Sequence, residues 1–143
     1  METDETIKKG FLRLERYAQN IPGGFHCCAE DPENGYPFAY VSDRFLEILG
    51  WERAEFAARF DNRYTALVHP DDLATGLRYR NAENSATYAK NGDSIFRLLG
   101  KNGYRWVTNA ANQVEWYGKG YIVGTITDIT PYMELREKLE QQN

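Results

Sequence analysis

The chain reads as an α+β domain built on a five-stranded antiparallel sheet, and two observations lead there. Near the start, two short strand-like runs flank a Pro/Asn/Gly loop, and in the second half three longer runs are joined by tight turns. Between these groups lie only helix-like patterns, so single strands do not alternate with helices. Parallel βαβ units are thereby excluded, and antiparallel hairpins remain. The order is helix, two strands, several short helices, a longer helix, three strands, helix, with no internal repeat.

Residues 1–20 form the first element. Ile7, Phe11, Leu14 and Ala18 stand at helical steps on one narrow face, closer to a coiled-coil seam than to a broad core face. Gly10 weakens the pattern and "NIPGG" ends it. Next, "FHCCAEDPENGYPFAYVS" predicts a β-hairpin. Ser42 caps a helix over "DRFLEILGW", with Phe45, Leu46 and Leu49 buried and Gly50 as its stop. "ERAEFAARF" predicts a second short helix, and "DNRYTALV" an irregular stretch or a single turn.

"HPDDLATGLRYRNAENSATYAK" predicts the longer helix. Proline stands at its start and two aspartates in its first turn, where the helix dipole favours negative charge. Leu73, Leu77 and Tyr88 supply its buried side, and the Asn-Gly at 91–92 ends it. The strands "DSIFRLLG", "YRWVTNAANQVEW" and "YIVGTITDI" follow, separated by the hairpin turns "KNG" and "YGKG". Thr130 caps a last helix over 131–143, Pro131 takes its first position, and Met133 or Tyr132, Leu135 and Leu139 give it an apolar seam.

Composition narrows the function. With 143 residues and 42% hydrophobic content the chain is long enough for one core, and 14% aromatics argue against disorder. Seventeen basic residues against 21 acidic ones form no stripe, which argues against nucleic-acid binding. No apolar run could span a bilayer, and "METDETIKKG" is too polar for a signal peptide, so the expectation is a cytoplasmic domain without membrane insertion. Cys27 and Cys28 are neighbours on a strand and point to opposite faces. They read as small apolar residues rather than as a metal grip or disulfide pair.

Enzyme readings find no footing. His26 and His69 are the only histidines, and neither makes a Ser-His-Asp or Cys-His pattern. No glycine-rich phosphate loop precedes a helix, and Asp71 and Asp72 read as helix-start residues.

Four motifs in order, "YVSDRFLEILGW", "LVHPDD", "GKNGYRWV" and "VGTITDIT", resemble those of the PAS domain family over roughly residues 21–130. The resemblance implies five antiparallel strands, helices inserted between strands 2 and 3, and flanking N-terminal and C-terminal helices. It also implies a bacterial sensor and dimerisation module, with the helix from residue 131 running towards an output domain absent from this chain. Histidine kinases of two-component systems, or the diguanylate cyclases and phosphodiesterases of cyclic di-GMP signalling, are the usual outputs. A terminal helix that folds back on its own sheet stays open as the alternative.

Cofactors can be weighed against this resemblance. Haem-binding members carry their ligand histidine within the long helix, where residues 73–90 have none; His69 precedes it and reads as a turn or capping residue. The light-sensing LOV members use a cysteine where this chain has Asp61, and amide side chains where it has Leu98, Thr108 and Ile126. Haem and covalent flavin photochemistry are therefore disfavoured, and the cofactor is left unknown. What remains is an apolar chamber. Phe96, Leu98, Trp106, Thr108, Ala110, Ile122, Gly124 and Ile126 are expected to face it, with Asn112 near its rim. Ala110 and Gly124 are small there, so the chamber either takes a small apolar or aromatic ligand or is a filled core.

The opposite face would carry Ile95, Leu99, Val107, Ala111 and Val123, and a face that apolar needs a cover. The N-terminal helix is the expected cover, with Ile7, Phe11 and Leu14 at a homodimer interface. The resemblance gives Asp128 and Thr130 the role of signal exit, aspartate anchoring the strand end and threonine starting the helix. A ligand-free dimerisation scaffold and a small α+β pocket enzyme stay open as competing readings.

Overall fold

The computed structural model describes residues 23–81, 83–84 and 95–142. The helix expected over residues 1–20, with Ile7, Phe11 and Leu14, lies outside them, as do Tyr88 and the Asn-Gly at 91–92. The strands are β1 (Gly24–Ala29), β2 (Phe38–Val41), β3 (Ile95–Gly100), β4 (Gly103–Trp116) and β5 (Lys119–Asp128). They form one antiparallel sheet in the order β2-β1-β5-β4-β3. The two chain halves therefore meet at the centre, where β1 and β4 both flank β5. Tyr117 and Gly118, both with positive φ, make the two-residue turn between β4 and β5, the geometry that matches the twist of a hairpin.

Four short helices, α1 (Asp43–Leu49), α2 (Arg53–Arg59), α3 (Tyr64–Leu67) and α4 (Leu73–Gly76), connect β2 to β3 and supply the cover of one sheet face. Ser42 caps α1 by accepting the Phe45 N–H at 3.2 Å, and its oxygen also takes the Phe25 N–H at 3.0 Å, so one side chain ties the helix start to β1. Phe38, Phe45, Phe56, Phe60 and Tyr64 then pack ring against ring beneath the sheet, with neighbouring centroids 5.2–6.0 Å apart. Burial of each such ring contributes about 1.5–3 kcal/mol. Among the described residues, no helix is long and apolar enough to cross a membrane.

The longer helix differs from its expectation. Its start is a 3-10 turn at Pro70–Asp72 and its α-helical part ends at Gly76. From there the chain turns to the sheet: Arg80 pairs in parallel with Asn112, its N–H donating to the Ala111 carbonyl at 2.8 Å. Glycine is a poor helix interior, and Tyr64 takes its carbonyl, donating its hydroxyl to the Gly76 oxygen at 2.7 Å.

The same segment protects the exposed edge of β3. His69 N–H donates to the Arg97 carbonyl at 3.0 Å, and the Asp72 carboxylate accepts both the Arg97 N–H at 2.9 Å and its guanidinium at 2.8 and 3.0 Å. His69 caps the turn, its Nδ1 accepting the Asp71 N–H at 3.0 Å, and its ring packs on Tyr104. Arg97 holds the Asp72 carboxyl below the ordinary carboxylate range. That stabilisation is present above the unfolded pKa and is lost as pH falls through the folded one. Asp72→Asn should therefore lower stability at neutral pH by about 1–2 kcal/mol, measured as a shifted urea midpoint, and converge with wild type in acid. Equal midpoints at neutral pH would contradict this account of the edge.

Candidate functional site

The core face of the sheet is set by β5. Ile122, Gly124 and Ile126 point under the helices, and their cross-strand partners share that face: Cys28, His26 and Gly24 on β1, and Gln113, Ala111 and Asn109 on β4. His26 and Asn109 are buried, at 2% and 5% exposure. They reach towards each other across β5, with His26 Nε2 3.1 Å from Asn109 Oδ1. The space between them exists because residue 124 has no side chain. A Cβ there would stand 2.7 Å from both Asn109 Oδ1 and His26 Nε2. An amide oxygen only accepts, so the ring proton sits on Nε2 and leaves Nδ1 as an acceptor. That Nδ1 is buried and has no partner among the described residues. The His26 ring lies flat against Tyr64, with centroids 5.8 Å apart, and tilts against Phe45. Burial lowers its pKa to about 4, with the Asn109 hydrogen bond opposing part of that shift.

A small cavity opens beside this pair. Cys28, Ala111 and Ile122 line its sheet side, Tyr36 and Tyr64 its walls, and Gly76, Leu77, Arg78 and Tyr79 its roof. About 20 Å³ is open to the centre of a water molecule, enough for a water or two. Ordinary small-molecule sites measure roughly 300–1,000 Å³. The roof is latched: Tyr79 donates its hydroxyl to Glu30 at 2.7 Å, and Gln113 donates its amide to the other Glu30 oxygen at 2.7 Å. Burial and then the Glu30 bond push the Tyr79 hydroxyl pKa up, so it stays a donor. Burial also raises the thiol pKa of Cys28, which argues against a reactive thiolate. Among the described residues no three His, Cys, Asp or Glu side chains gather as a metal site.

The expected chamber residues divide. Phe96, Leu98 and Ile126 lie fully buried in the core and Ile122 lines the cavity. Trp106, Thr108 and Ala110 face the other side of the sheet, and Asn112 is exposed there too. Val107 and Ala111, expected outside, are buried on β4 on either side of Asn109. The register explains the inversion: Ala111 sits opposite Gly124 and Asn109 opposite Ile126, so the odd positions must face inward. Trp106 instead lies under the Arg97 guanidinium, 4.9 Å from its ring centre. The outer face carries its own cluster, with Cys27 and Tyr121 buried among Phe25, Ala39, Tyr40, Trp116 and Val123.

At the other end of β5 the chain leaves through α5 (Thr130–Gln141). The expectation makes Thr130 the cap, but it is the first residue of the helix: Ile129 holds the cap position without a side-chain cap bond, and the Asp128 Oδ1 accepts the Thr130 N–H at 2.9 Å. The Thr130 hydroxyl reaches back to β4, accepting the Trp106 N–H at 2.8 Å, while Arg105 donates to the second Asp128 oxygen at 2.7 Å. Burial works to raise the Asp128 pKa, but the bonds from Arg105 and Thr130 outweigh it and hold the carboxyl low. Beyond this junction Tyr132, Leu135 and Leu139 are each more than half exposed along one helical stripe.

Two tests follow. Gly124→Ala should destabilise the protein by about 1–3 kcal/mol through overpacking, read by urea unfolding; an unchanged midpoint would mean that the pair does not need the gap. In wild type, lowering pH from about 6.5 to 4 should cost on the order of 3 kcal/mol. The unfolded histidine binds a proton in that window and the folded one does not. His26→Phe should flatten that slope, and a slope that persists would place its origin elsewhere.

The family model of the PAS fold matches residues 38–126. A sensory box histidine kinase/response regulator from Burkholderia thailandensis E264 superposes with a TM-score of 0.57 at 21% identity, over 91% of this chain and 94% of that one. A PAS domain from a two-component sensor histidine kinase gives 0.56 at 11%, over 85% and 98%. An RNA-binding Light-Oxygen-Voltage receptor gives 0.57 at 16%, over 94% of this chain but 36% of that one. No curated protein matches.

Proposed function

The chain belongs to the PAS fold family, and from that premise we propose a non-catalytic sensory, signal-transducing and dimerising module of a bacterial, cytoplasmic signalling protein. Its task is to bias the geometry of α5, which leads to an output domain of the histidine kinase, diguanylate cyclase or phosphodiesterase type. In this reading residues 21–130 are the sensor, residues 1–20 the dimerising helix and residues 131–143 the start of the linker. The observation that carries it is the junction at Asp128. Four hydrogen bonds there tie the end of β5, the backbone of β4 and the first turn of α5 into one unit. Bonds of this kind contribute about 0.5–3 kcal/mol each, so a modest strain in the sheet is enough to redistribute helix orientations.

The histidine kinases among the similar structures support the choice of output. The exposed stripe of Tyr132, Leu135 and Leu139 has the three-then-four spacing of a two-helix seam. On the sheet, the outer cluster around Tyr121 is the surface that Ile7, Phe11 and Leu14 would cover, from the same chain or across a dimer axis. Input would act at the chamber beside His26, through a small apolar or aromatic ligand. Its small volume favours a second reading, a scaffold that dimerises its outputs without a ligand. Mass spectrometry of material released on denaturation separates the two, since a stoichiometric metabolite is expected only from the first.

Asp128→Ala, in a protein carrying an output domain after α5, should uncouple output from input while the sheet stays folded. Amide exchange in residues 130–141 should rise several-fold. Unchanged regulation and exchange would contradict the proposal. Removing residues 1–20 should convert dimer to monomer in sedimentation velocity, and a dimer that survives would remove those residues from the interface.

A further inference from the structure

The cavity beside His26 is too small for a metabolite with its roof closed, yet its chemistry is specific. His26 is almost wholly buried, its Nε2 is committed to Asn109, and its Nδ1 acceptor meets no donor among the described residues. An apolar occupant would leave that lone pair unmet, and a native core rarely tolerates this. An anion would face it directly, and a cation would lose its hydration against Cys28, Ala111 and Ile122. A neutral O–H or N–H group satisfies it. The void holds one or two heavy atoms. Gly76, which lines the same space, has a carbonyl that takes one hydrogen bond from Tyr64 and keeps a second lone pair for the donor's other hydrogen.

We infer that the space between His26 and the Leu77–Tyr79 roof is a binding site for a neutral hydrogen-bond donor of one or two heavy atoms. Water fills it in the resting protein, and the hydroxyl of a small alcohol takes the same position. This rests on the reading of the chamber as the input site and deepens it by replacing a purely apolar ligand with one that carries a hydrogen-bond donor. The Tyr79–Glu30–Gln113 latch braces the roof segment beside the site. A larger donor-bearing ligand would hold the latch open and so reach β1 through Glu30 and β4 through Gln113.

The test uses the whole 143-residue chain with ¹⁵N-labelled histidine and ¹³C-labelled isoleucine methyls, observed by NMR at neutral pH. Methanol serves as the donor probe and xenon as the apolar one. The expected result is an Nε2-protonated ring whose Nδ1 resonance is that of a hydrogen-bonded acceptor, with a water cross-relaxation signal on the Ile122 methyls. Methanol should shift both saturably. Ala111→Leu, which fills the void, should abolish the water signal and move Nδ1 to its free-acceptor position. The wild-type spectra decide the matter even if that variant fails to fold. A free-acceptor Nδ1 with Ile122 responding to xenon alone would overturn the donor site and leave the chamber standing as a dry apolar pocket. No response to either probe would overturn both the site and the chamber.

Discussion

The His26–Asn109 hydrogen bond across Gly124 is the constraint on which the rest of this structure depends. It links β1 to β4 over the strand between them, so the two halves of the chain are held by side chains as well as by the ladders. It sets the face of β4: with Asn109 turned inward, Val107 and Ala111 must be core and Trp106, Thr108 and Ala110 must lie outside. It also places the aromatic cluster, because the imidazole stacks on Tyr64 and so positions the helical turn that supports the cavity. A buried polar pair of this sort gives modest net stability when intact and costs much more when one partner is lost.

The two ends of the sheet are managed by a different chemistry, charge-assisted bonds at half-buried positions. Asp72 closes the β3 edge by taking over both the backbone and the side chain of Arg97. Asp128 plays a matching part where β5 ends, held by Arg105 while it accepts the first N–H of the outgoing helix. Asp72 closes the sheet at its β3 edge, and Asp128 connects the end of the central strand β5 to α5. Under the proposed function, a firmly held centre with a few-bond junction at its exit would let a small input change the direction of α5 without unfolding the domain.

Much of this was legible in the sequence. The hairpins, the Ser42 cap, the Gly50 stop and the alternation of β5 follow from local rules that tertiary contacts reinforce. The face of β4 was not legible, since "WVTNAAN" offers similar polarity on both sides and Trp106 is the bulkier candidate for the core. Cation–π stacking under Arg97 satisfies that ring outside. Reading His26 as a site residue required knowing that Asn109 lay 83 residues away across a strand with a glycine between; the one hint was an unusually small residue, Gly124, which periodicity alone reads as an empty chamber. The early stop of the long helix depended on Gly76 and on the Arg80–Asn112 pairing, a contact that propensity does not see.

The central claim is that His26 and Asn109 act as one unit. A double-mutant cycle with His26→Phe, Asn109→Leu and the double variant, followed by urea unfolding, measures this directly. The account predicts that the double variant costs less than the sum of the two single changes, each of which strands one buried polar group, by a coupling of at least about 1 kcal/mol. Additive losses would contradict it, and the sheet would then owe its register to the backbone ladders alone.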